Sequence, residues 1–235
     1  MISSASFAKS AYSLLSPHER KYFRQKLLKW YASHHRHFPW RSKVNSFHLL
    51  VAEVLLQQTD AAKVALIYPR FIEVFPTPSI LAMADEKDVG RLISRIGLKY
   101  RASRLIRTAA IIQNHFGGRV PADSHSLLSL PGIGPYATSA VLASAFHQRS
   151  AVLDTNVIRI LDRFFGLRSS RPRAHTDPRL WHAARELLPR RNRMARIWNY
   201  AVLDFSALIC RYRNPCCDGC PCRRLCRFSI ISRQP

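Results

Sequence analysis

Acidic residues are scarce in this chain of 235 residues, which has 14 Asp and Glu against 37 Lys and Arg. No apolar run is long enough to span a bilayer, and no segment alternates apolar and polar residues as a half-buried strand does. Internal repeats, low-complexity tracts and a secretory signal segment are also lacking. These absences argue against a membrane-spanning, β-rich or repeat protein, and they favour a cytoplasmic setting.

The deficit of acidic residues gives a formal net charge of +23. Cations are spread along the whole length of a chain that is 47% hydrophobic, which is enough to form a core. A polyanion is therefore the expected partner, and nucleic acid is the commonest one. An anionic membrane surface is the weaker alternative, because no long basic amphipathic helix stands out, and we expect no membrane partner.

Helical periodicity runs through most of the chain, so we expect an all-α fold. Ser46 is the expected N-cap of a helix that is apolar almost all the way round. The predicted helices cover Pro17–His35, Phe47–Gln58, Asp60–Phe75, Ser79–Ala84, Glu86–Arg95, Tyr100–Phe116, Asp123–Leu130, Pro135–Phe146, Thr155–Phe165, Pro178–Leu188 and Arg193–Cys210.

A tight turn separates two of these helices in the stretch SLPGIGPYAT, residues 129–138. Gly132 and Gly134 allow a sharp turn and a close approach to a ligand, and Pro135 suits the first position of a helix. Amide groups at a helix N-terminus favour an anion such as phosphate. From these residues alone, a phosphate site and an ordinary helical corner are equally open.

Two carboxylates occupy unusual places. Glu53 lies among leucines on the apolar helix, where it is either in a structural ion pair or a functional acid. Asp154 precedes the apolar stripe of the helix Thr155–Phe165, which is an N-cap position and by itself favours a structural role. Its place one helix beyond the glycine turn would nevertheless bring it close to a bound nucleic acid.

All six cysteines fall within 17 residues near the C-terminal end, which favours a local metal site over a disulfide framework. Four of them have the spacing C-x6-C-x2-C-x5-C, and one short loop of this kind suits a compact iron–sulfur cluster better than zinc. The expected ligands are Cys210, Cys217, Cys220 and Cys226. Cys216 and Cys222 are expected to be spectator thiols.

The motifs LPGIGPYATSAV, VLDTNVIRILDRFFG and AEVLLQQT, together with the four-cysteine loop, resemble the helix–hairpin–helix DNA glycosylases that carry a 4Fe–4S cluster. That superfamily includes endonuclease III and the adenine and thymine mismatch glycosylases, and the resemblance covers roughly Phe38 to Cys226. It implies two helical domains, 45–149 with the hairpin and 1–44 plus 150–228 with the cluster, a short tail 229–235, and an active site in the cleft between the domains. The implied partner is double-stranded DNA with a mismatched or damaged base, bound by a monomer.

The resemblance also implies roles for three residues of the active site. Asp154 matches the catalytic aspartate of the family, and Glu53 matches a glutamate placed beside the flipped base. Tyr136 stands where endonuclease III has its Schiff-base lysine. Because a phenol cannot form an imine, the resemblance implies a glycosylase without Schiff-base lyase activity.

Further positions are implied to contact DNA. Gln58 and Leu98 correspond to residues that enter the base stack from opposite sides of the extruded nucleotide, and Asn156 is placed to help position the sugar or a water. The hairpin residues implied to anchor the strand are Gly132, Ile133 and Gly134.

Sequence features that bear on the target base point to two different subfamilies. Two features favour the thymine type: the wedge sequence Gly97–Ala102 and the small number of residues after Cys226. In contrast, Leu56–Thr59 has the sequence that is typical of adenine enzymes. We favour thymine or uracil opposite guanine over adenine opposite guanine or 8-oxoguanine. A DNA-binding module without activity remains an alternative, and an iron–sulfur electron carrier is weaker still.

Overall fold

The computed structural model describes residues 13–42, 44–97 and 100–231, and every regular element in these ranges is a helix. The prediction of an all-α fold is thus confirmed. The helices are α1 (Pro17–His34), α2 (Pro39–Ser42), α3 (Ser46–Leu56), α4 (Ala61–Val74), α5 (Pro78–Ala82), α6 (Glu86–Ile93), α7 (Tyr100–His115), α8 (Ser124–Ser129), α9 (Pro135–Ala145), α10 (Thr155–Phe165), α11 (Pro178–Leu187), α12 (Met194–Leu208) and α13 (Arg227–Ile231), with 3-10 turns at Ser94–Ile96, Ala174–Thr176 and Arg223–Leu225.

The chain divides into two compact units. The hairpin unit contains Arg36–Val152 and Arg191–Arg196, and the cysteine unit contains the described parts of Met1–His35, Leu153–Arg190 and Ile197–Pro235. The boundaries expected from the sequence, 45–149 for one domain and the remaining residues up to 228 for the other, stay a prediction.

The hairpin unit is organised around α3, because that helix has apolar side chains on all sides. Leu49, Val51 and Leu55 are each at most 1% exposed, and α3 packs against α4, α7 and α9. Burying a leucine or valine side chain contributes about 1.5–3 kcal/mol, so this central helix supplies much of the stability of the unit.

The cysteine unit has an aromatic core around Phe23 of α1, which is fully buried. Its ring lies 4.7 Å from that of Phe164 and 5.5 Å from that of Phe165, both on α10. Trp198 and Phe205 of α12 complete the cluster at 6.0 and 6.1 Å. This core holds the last turn of α10, the helix that Asp154 caps at its other end.

Several local predictions need correction. The N-cap of α3 is Asn45, whose side chain accepts from the amides of Phe47 and His48, and Ser46 is the first helical residue. The break expected around Phe38 contains the four-residue helix α2, which is too short to show a period. The expected tail 229–235 begins inside α13, and its last four residues lie outside the described part of the chain. Within the described ranges, no helix is both long and apolar enough for a membrane span.

Candidate active site

The glycine turn forms as the sequence predicts, between α8 and a helix α9 that begins at Pro135. Gly132 has φ +75°, a left-handed conformation that favours glycine, and Ile133 is buried and fixes the turn to the core. Gly134 is extended, with φ −95°, so its backbone does not require glycine. A Cβ atom at Gly134 would meet no protein atom within 4 Å, which leaves open space beside the start of α9.

Two side chains of α7 and one from the turn after α3 hold the glycine turn. Thr108 donates from its hydroxyl to the carbonyl of Pro131 at 3.1 Å. Gln57 donates from Nε2 to the carbonyl of Gly132 at 2.7 Å. The side chain of Arg104 covers the face of Gly132 so closely that an added Cβ would overlap it. The turn is therefore built to be rigid.

Glu53 and Tyr136 are placed by two helices that pack against each other, α3 and α9. Glu53 is 7% exposed in the middle of α3, as the sequence predicts for a residue on this apolar helix. Tyr136 is the second residue of α9 and is half-buried against the core of the hairpin unit. A carboxyl group and a phenol are thus both present in this part of the hairpin unit.

Gln58 is the second residue after α3 and is exposed, with φ +53°. This left-handed conformation costs a residue with a side chain roughly 1–2 kcal/mol, so neighbouring groups must impose it. Leu98, the second residue expected to enter the base stack, lies outside the described residues.

Asp154 is the N-cap of α10, as predicted. Its Oδ1 accepts from the amides of Asn156 at 3.0 Å and Val157 at 2.9 Å, and its Oδ2 accepts from Nδ2 of Asn156 at 2.6 Å. Burial raises the pKa of Asp154, although these hydrogen bonds act to lower it. The carboxylate is therefore held in one orientation in a place that disfavours its charge.

Arg159, which was not predicted from the sequence, connects this carboxylate to the cysteine region. Its Nη2 donates to Oδ1 of Asn156 at 2.9 Å and to the carbonyl of Ser206 at 3.1 Å, and its Nε donates to the carbonyl of Cys210 at 2.7 Å. The orientation of the Asn156 amide, and through it that of Asp154, thus depends on the backbone at Cys210. Only the position of Arg159 on the helix that Asp154 caps could have indicated this role.

All six cysteines line one cavity between α10, α12 and the C-terminal loop. Burial raises the pKa of the Cys217 and Cys226 thiols, and the nearby charges of Cys210 and Cys220 raise both further. A hydrogen bond from Cys222 lowers the pKa of Cys220. These mutual effects show that the four predicted ligands lie close together.

The donor set fits an iron–sulfur cluster, because four thiols from one loop surround a shared cavity and no carboxylate or histidine lines it. Cys222 is 1% exposed in the same cavity, and Sγ of Cys216 accepts from Arg211 at 3.1 Å, so both extra thiols are engaged within the protein. Among the described residues, no three His, Cys, Asp or Glu side chains are grouped to hold a single metal ion. A cluster keeps its thiolates farther apart than one ion does, because each thiolate binds a different iron, so the two observations are compatible.

Arg163 orders the first part of the cysteine loop. It donates from Nη1 to the carbonyl of Arg211 at 2.6 Å and from Nη2 to the carbonyl of Tyr212 at 2.9 Å, and its guanidinium lies 4.8 Å above the ring of Phe228. Tyr212 is 75% exposed. The loop therefore presents an exposed aromatic side chain between exposed arginines on a backbone that Arg163 holds, which sequence spacing alone did not show.

The predicted site residues thus form two groups, and each group lies within one of the two units. The hairpin unit holds the glycine turn, Gln58, and the helices that carry Glu53 and Tyr136. The cysteine unit holds Asp154 and Asn156 with the four predicted ligands.

Comparison with known proteins gives consistent results. Residues 51–186 match the HhH-GPD superfamily of base excision DNA repair proteins. The chain is 39% identical over 207 residues to a thymine-DNA glycosylase of Aeropyrum pernix, covering 87% of this chain and 93% of the relative. An adenine DNA glycosylase of Mycobacterium tuberculosis is 39% identical over 201 residues, covering 83% of this chain and 64% of that protein.

A solved structure of a thermostable thymine-DNA glycosylase superposes with a TM-score of 0.85 at 32% identity, covering 91% of this chain and 98% of the other. The helical fold, the glycine turn and the helix-capping aspartate occur together in a chain with these relatives. The chain therefore belongs to the HhH-GPD superfamily of base excision DNA repair proteins.

The two glycines of the turn provide a matched stability test. We expect Gly132→Ala to lower the free energy of unfolding by about 1–2 kcal/mol or more, because the left-handed conformation is unfavourable for alanine and the new Cβ overlaps Arg104. Gly134→Ala should change it by less than about 0.5 kcal/mol, because its extended backbone and open space tolerate a methyl group. Urea unfolding measures the free energy of unfolding of both variants. Equal losses in the two would contradict the conclusion that only Gly132 requires glycine.

Proposed function

We propose that this protein is a monofunctional DNA glycosylase that flips a mismatched base out of duplex DNA and removes it by hydrolysis, with thymine or uracil opposite guanine as its substrate. The observation that carries the proposal is the carboxylate of Asp154, which caps α10, is partly buried and is fixed by Asn156. Its relatives among the DNA glycosylases supply the reaction class.

The chemistry needs a fixed anion. Breaking an N-glycosidic bond leaves an oxocarbenium-like sugar, and a carboxylate already oriented and partly desolvated stabilises that cation more strongly than one in water. In the proposed role, Asp154 supports the sugar while the base departs with the bonding electrons. Water then adds to the anomeric carbon and gives a proton to the carboxylate of Asp154. Asn156 keeps the carboxylate aligned.

Glu53 and Tyr136 are proposed to act on the base side. A buried carboxylic acid on α3 can donate a proton or hydrogen bond to the leaving base, directly or through water. The phenol of Tyr136 lines the pocket and cannot form an imine, so the reaction ends at an abasic site.

The hairpin is proposed to anchor a DNA strand. The open space beside Gly134 lets a phosphate approach the amides at the start of α9, and the positive end of the helix dipole favours the anion. The net charge of +23 adds attraction that does not depend on sequence and should weaken steeply with salt.

The proposal of thymine or uracil is supported by the thymine-DNA glycosylase relatives, which align over nearly their whole length. Adenine is the second candidate, and two observations favour it: the sequence Leu56–Thr59 and the equal identity to the mycobacterial adenine enzyme.

A 4Fe–4S cluster is the proposed cofactor, held by Cys210, Cys217, Cys220 and Cys226. Such a group would cross-link the loop and supply a structural anchor rather than an electron-transfer step. Two arginines of the chain then connect the loop to α10. Arg159 donates a hydrogen bond to the Cys210 carbonyl, and Arg163 fixes the exposed part of the loop.

A base-release assay tests the function directly. Duplexes carrying T·G, U·G, A·G and A·8-oxoguanine are incubated with excess protein, and single-turnover release is measured. We expect release from T·G and U·G without strand cleavage before alkali. Release confined to the adenine duplexes would move the protein to the second candidate, and no release from any duplex would leave only DNA binding.

Asp154→Asn is expected to lower base release by at least about 100-fold while DNA affinity stays within a few-fold, because the change removes the anion but little of the shape. Asparagine is also a good N-cap, so α10 should persist. The raised pKa of Asp154 means that its charge is disfavoured in the folded state, and stability from this group is lost as pH rises through that pKa. The variant should therefore have a melting temperature no lower than that of the wild type at neutral pH. Full base release by the variant would contradict the catalytic role of Asp154.

The raised pKa also predicts the pH dependence. Because the ionised Asp154 is the active form, base release should fall on acidification at a pH above the ordinary aspartate value of about 3.9. Asn156→Ala removes the 2.6 Å hydrogen bond that favours the carboxylate, so this acid limb should move to higher pH. Asn114→Ala, at an exposed position on α7, is the control and should leave the profile unchanged. A shift toward lower pH in the Asn156 variant would contradict the assignment.

The cofactor proposal is tested by neighbouring cysteines. The purified protein should be brown with about four irons and four sulfides per chain. Cys217→Ser should lose most of this iron, whereas Cys216→Ser should retain it. A colourless protein with stoichiometric zinc would contradict the cluster.

A further inference from the structure

The turn after α3 carries a residue in a costly conformation. Gln58 has φ +53°, and it is exposed at the end of the central helix of the hairpin unit. A glutamine does not adopt this conformation without support, so the contacts around it identify what holds it.

Arg101 of α7 holds this turn through two hydrogen bonds. Its Nη2 donates to the backbone carbonyl of Gln57 and, at 2.8 Å, to the hydroxyl of Thr59. These two acceptors lie on either side of Gln58 in the sequence. One guanidinium nitrogen therefore fixes both flanks of the residue with the left-handed backbone.

The side chain of Gln57 makes a second tie. Its Oε1 accepts from Nη1 of Arg104 at 2.9 Å, and its Nε2 donates to the carbonyl of Gly132 at 2.7 Å. Because the Arg104 side chain also covers Gly132, the turn that carries Gln58 and the glycine turn of the hairpin are joined by one set of contacts.

Stability alone does not account for this arrangement. Arg101 is fully buried, and its Nε and Nη1 have no hydrogen-bond partner within the described residues. Burying a guanidinium with unsatisfied donors is costly. Because Arg101 is 0% exposed, it acts through the turn rather than by touching DNA itself.

We propose that Arg101, Gln57 and Arg104 form a clamp of positioning residues that presets the conformation of Gln58, so that its side chain is already directed into the base stack when DNA binds. The clamp rests on the proposed function and deepens it, since it concerns how the paired base is opened. Its purpose is preorganisation: a loosened turn would have to be ordered again in every encounter.

The test compares a paired with an unpaired target. Arg101→Lys keeps the charge, but its terminal nitrogen ends one bond nearer the backbone than Nη2, so it no longer reaches both acceptors. We expect base release from a T·G duplex to fall roughly tenfold to a hundredfold. Release of thymine opposite an abasic site, where no pair has to be opened, should fall by less than about threefold. Local opening is followed independently by the fluorescence of 2-aminopurine beside the target, and it should be reduced in the T·G duplex.

A double-variant cycle shows whether the effect passes through Gln58. Gln58→Gly removes the side chain and accepts the left-handed backbone without strain. In that background Arg101→Lys should cause little further loss, because both changes remove the same action. Losses that multiply would mean that Arg101 acts by another route and would overturn the clamp.

Matched controls separate positioning from folding. Arg70→Lys makes the same substitution at a side chain of α4 that is 64% exposed, and it should leave both substrates unaffected. Gln57→Glu still accepts from Arg104 but cannot donate to Gly132, so it should reproduce the selective loss on paired thymine even where Arg101→Lys folds poorly. Equal losses on paired and unpaired thymine would overturn the proposal. If the wild type released no base at all, the proposed function would fail, and the fluorescence assay would still decide for or against the clamp.

Discussion

The proposed role of Asp154 places one electrostatic constraint on the cysteine unit: the carboxylate has to keep its charge where burial favours the neutral form. Three hydrogen bonds oppose the cost, two from backbone amides at the start of α10 and one from Asn156. The amides come with the helix, so the N-cap position supplies them at no extra cost in ordering. Only the Asn156 amide needs separate support, and Arg159 gives it by bonding to the carbonyls of Ser206 and Cys210. Folding of the cysteine loop therefore determines whether this support is available.

The same constraint explains how a strongly basic protein keeps an anionic site. Neighbouring arginines would be expected to compete for the carboxylate, yet Arg159 reaches Asn156 instead, and Arg163 is bound to backbone carbonyls of the cysteine loop. Both arginines of α10 thus have carbonyl acceptors of their own. A direct ion pair would lower the charge available to a sugar cation, whereas an amide between carboxylate and guanidinium fixes the geometry and leaves the charge in place.

Local signals in the sequence were sufficient for much of the fold and for part of the site. The helix Thr155–Phe165 was predicted with the bounds that it has, because Asp154 caps it, its apolar side chains recur with the helical period, and Gly166 ends it in the left-handed conformation. The cap of α3 was assigned one residue late, since Asn45 and Ser46 are both good caps and only the structure distinguishes them. Arg101 was missed because its acceptors lie more than 40 residues away. Its signal was nevertheless present, since it shares the apolar stripe of α7 with Leu105 and Ile112.

The hairpin unit shows two solutions to the same backbone problem. Gly132 and Gln58 both have positive φ, and the first is a glycine, so its conformation requires no side-chain support. Gln58 cannot use that solution, because the proposed role needs a side chain that reaches into the stack. The neighbouring residues therefore hold the turn, and one of their hydrogen bonds is accepted by the carbonyl of Gly132. In the proposed mechanism, the turn that anchors the DNA strand and the turn that opens the base pair are therefore held by the same contacts. A change at the glycine turn should then also alter the conformation of Gln58.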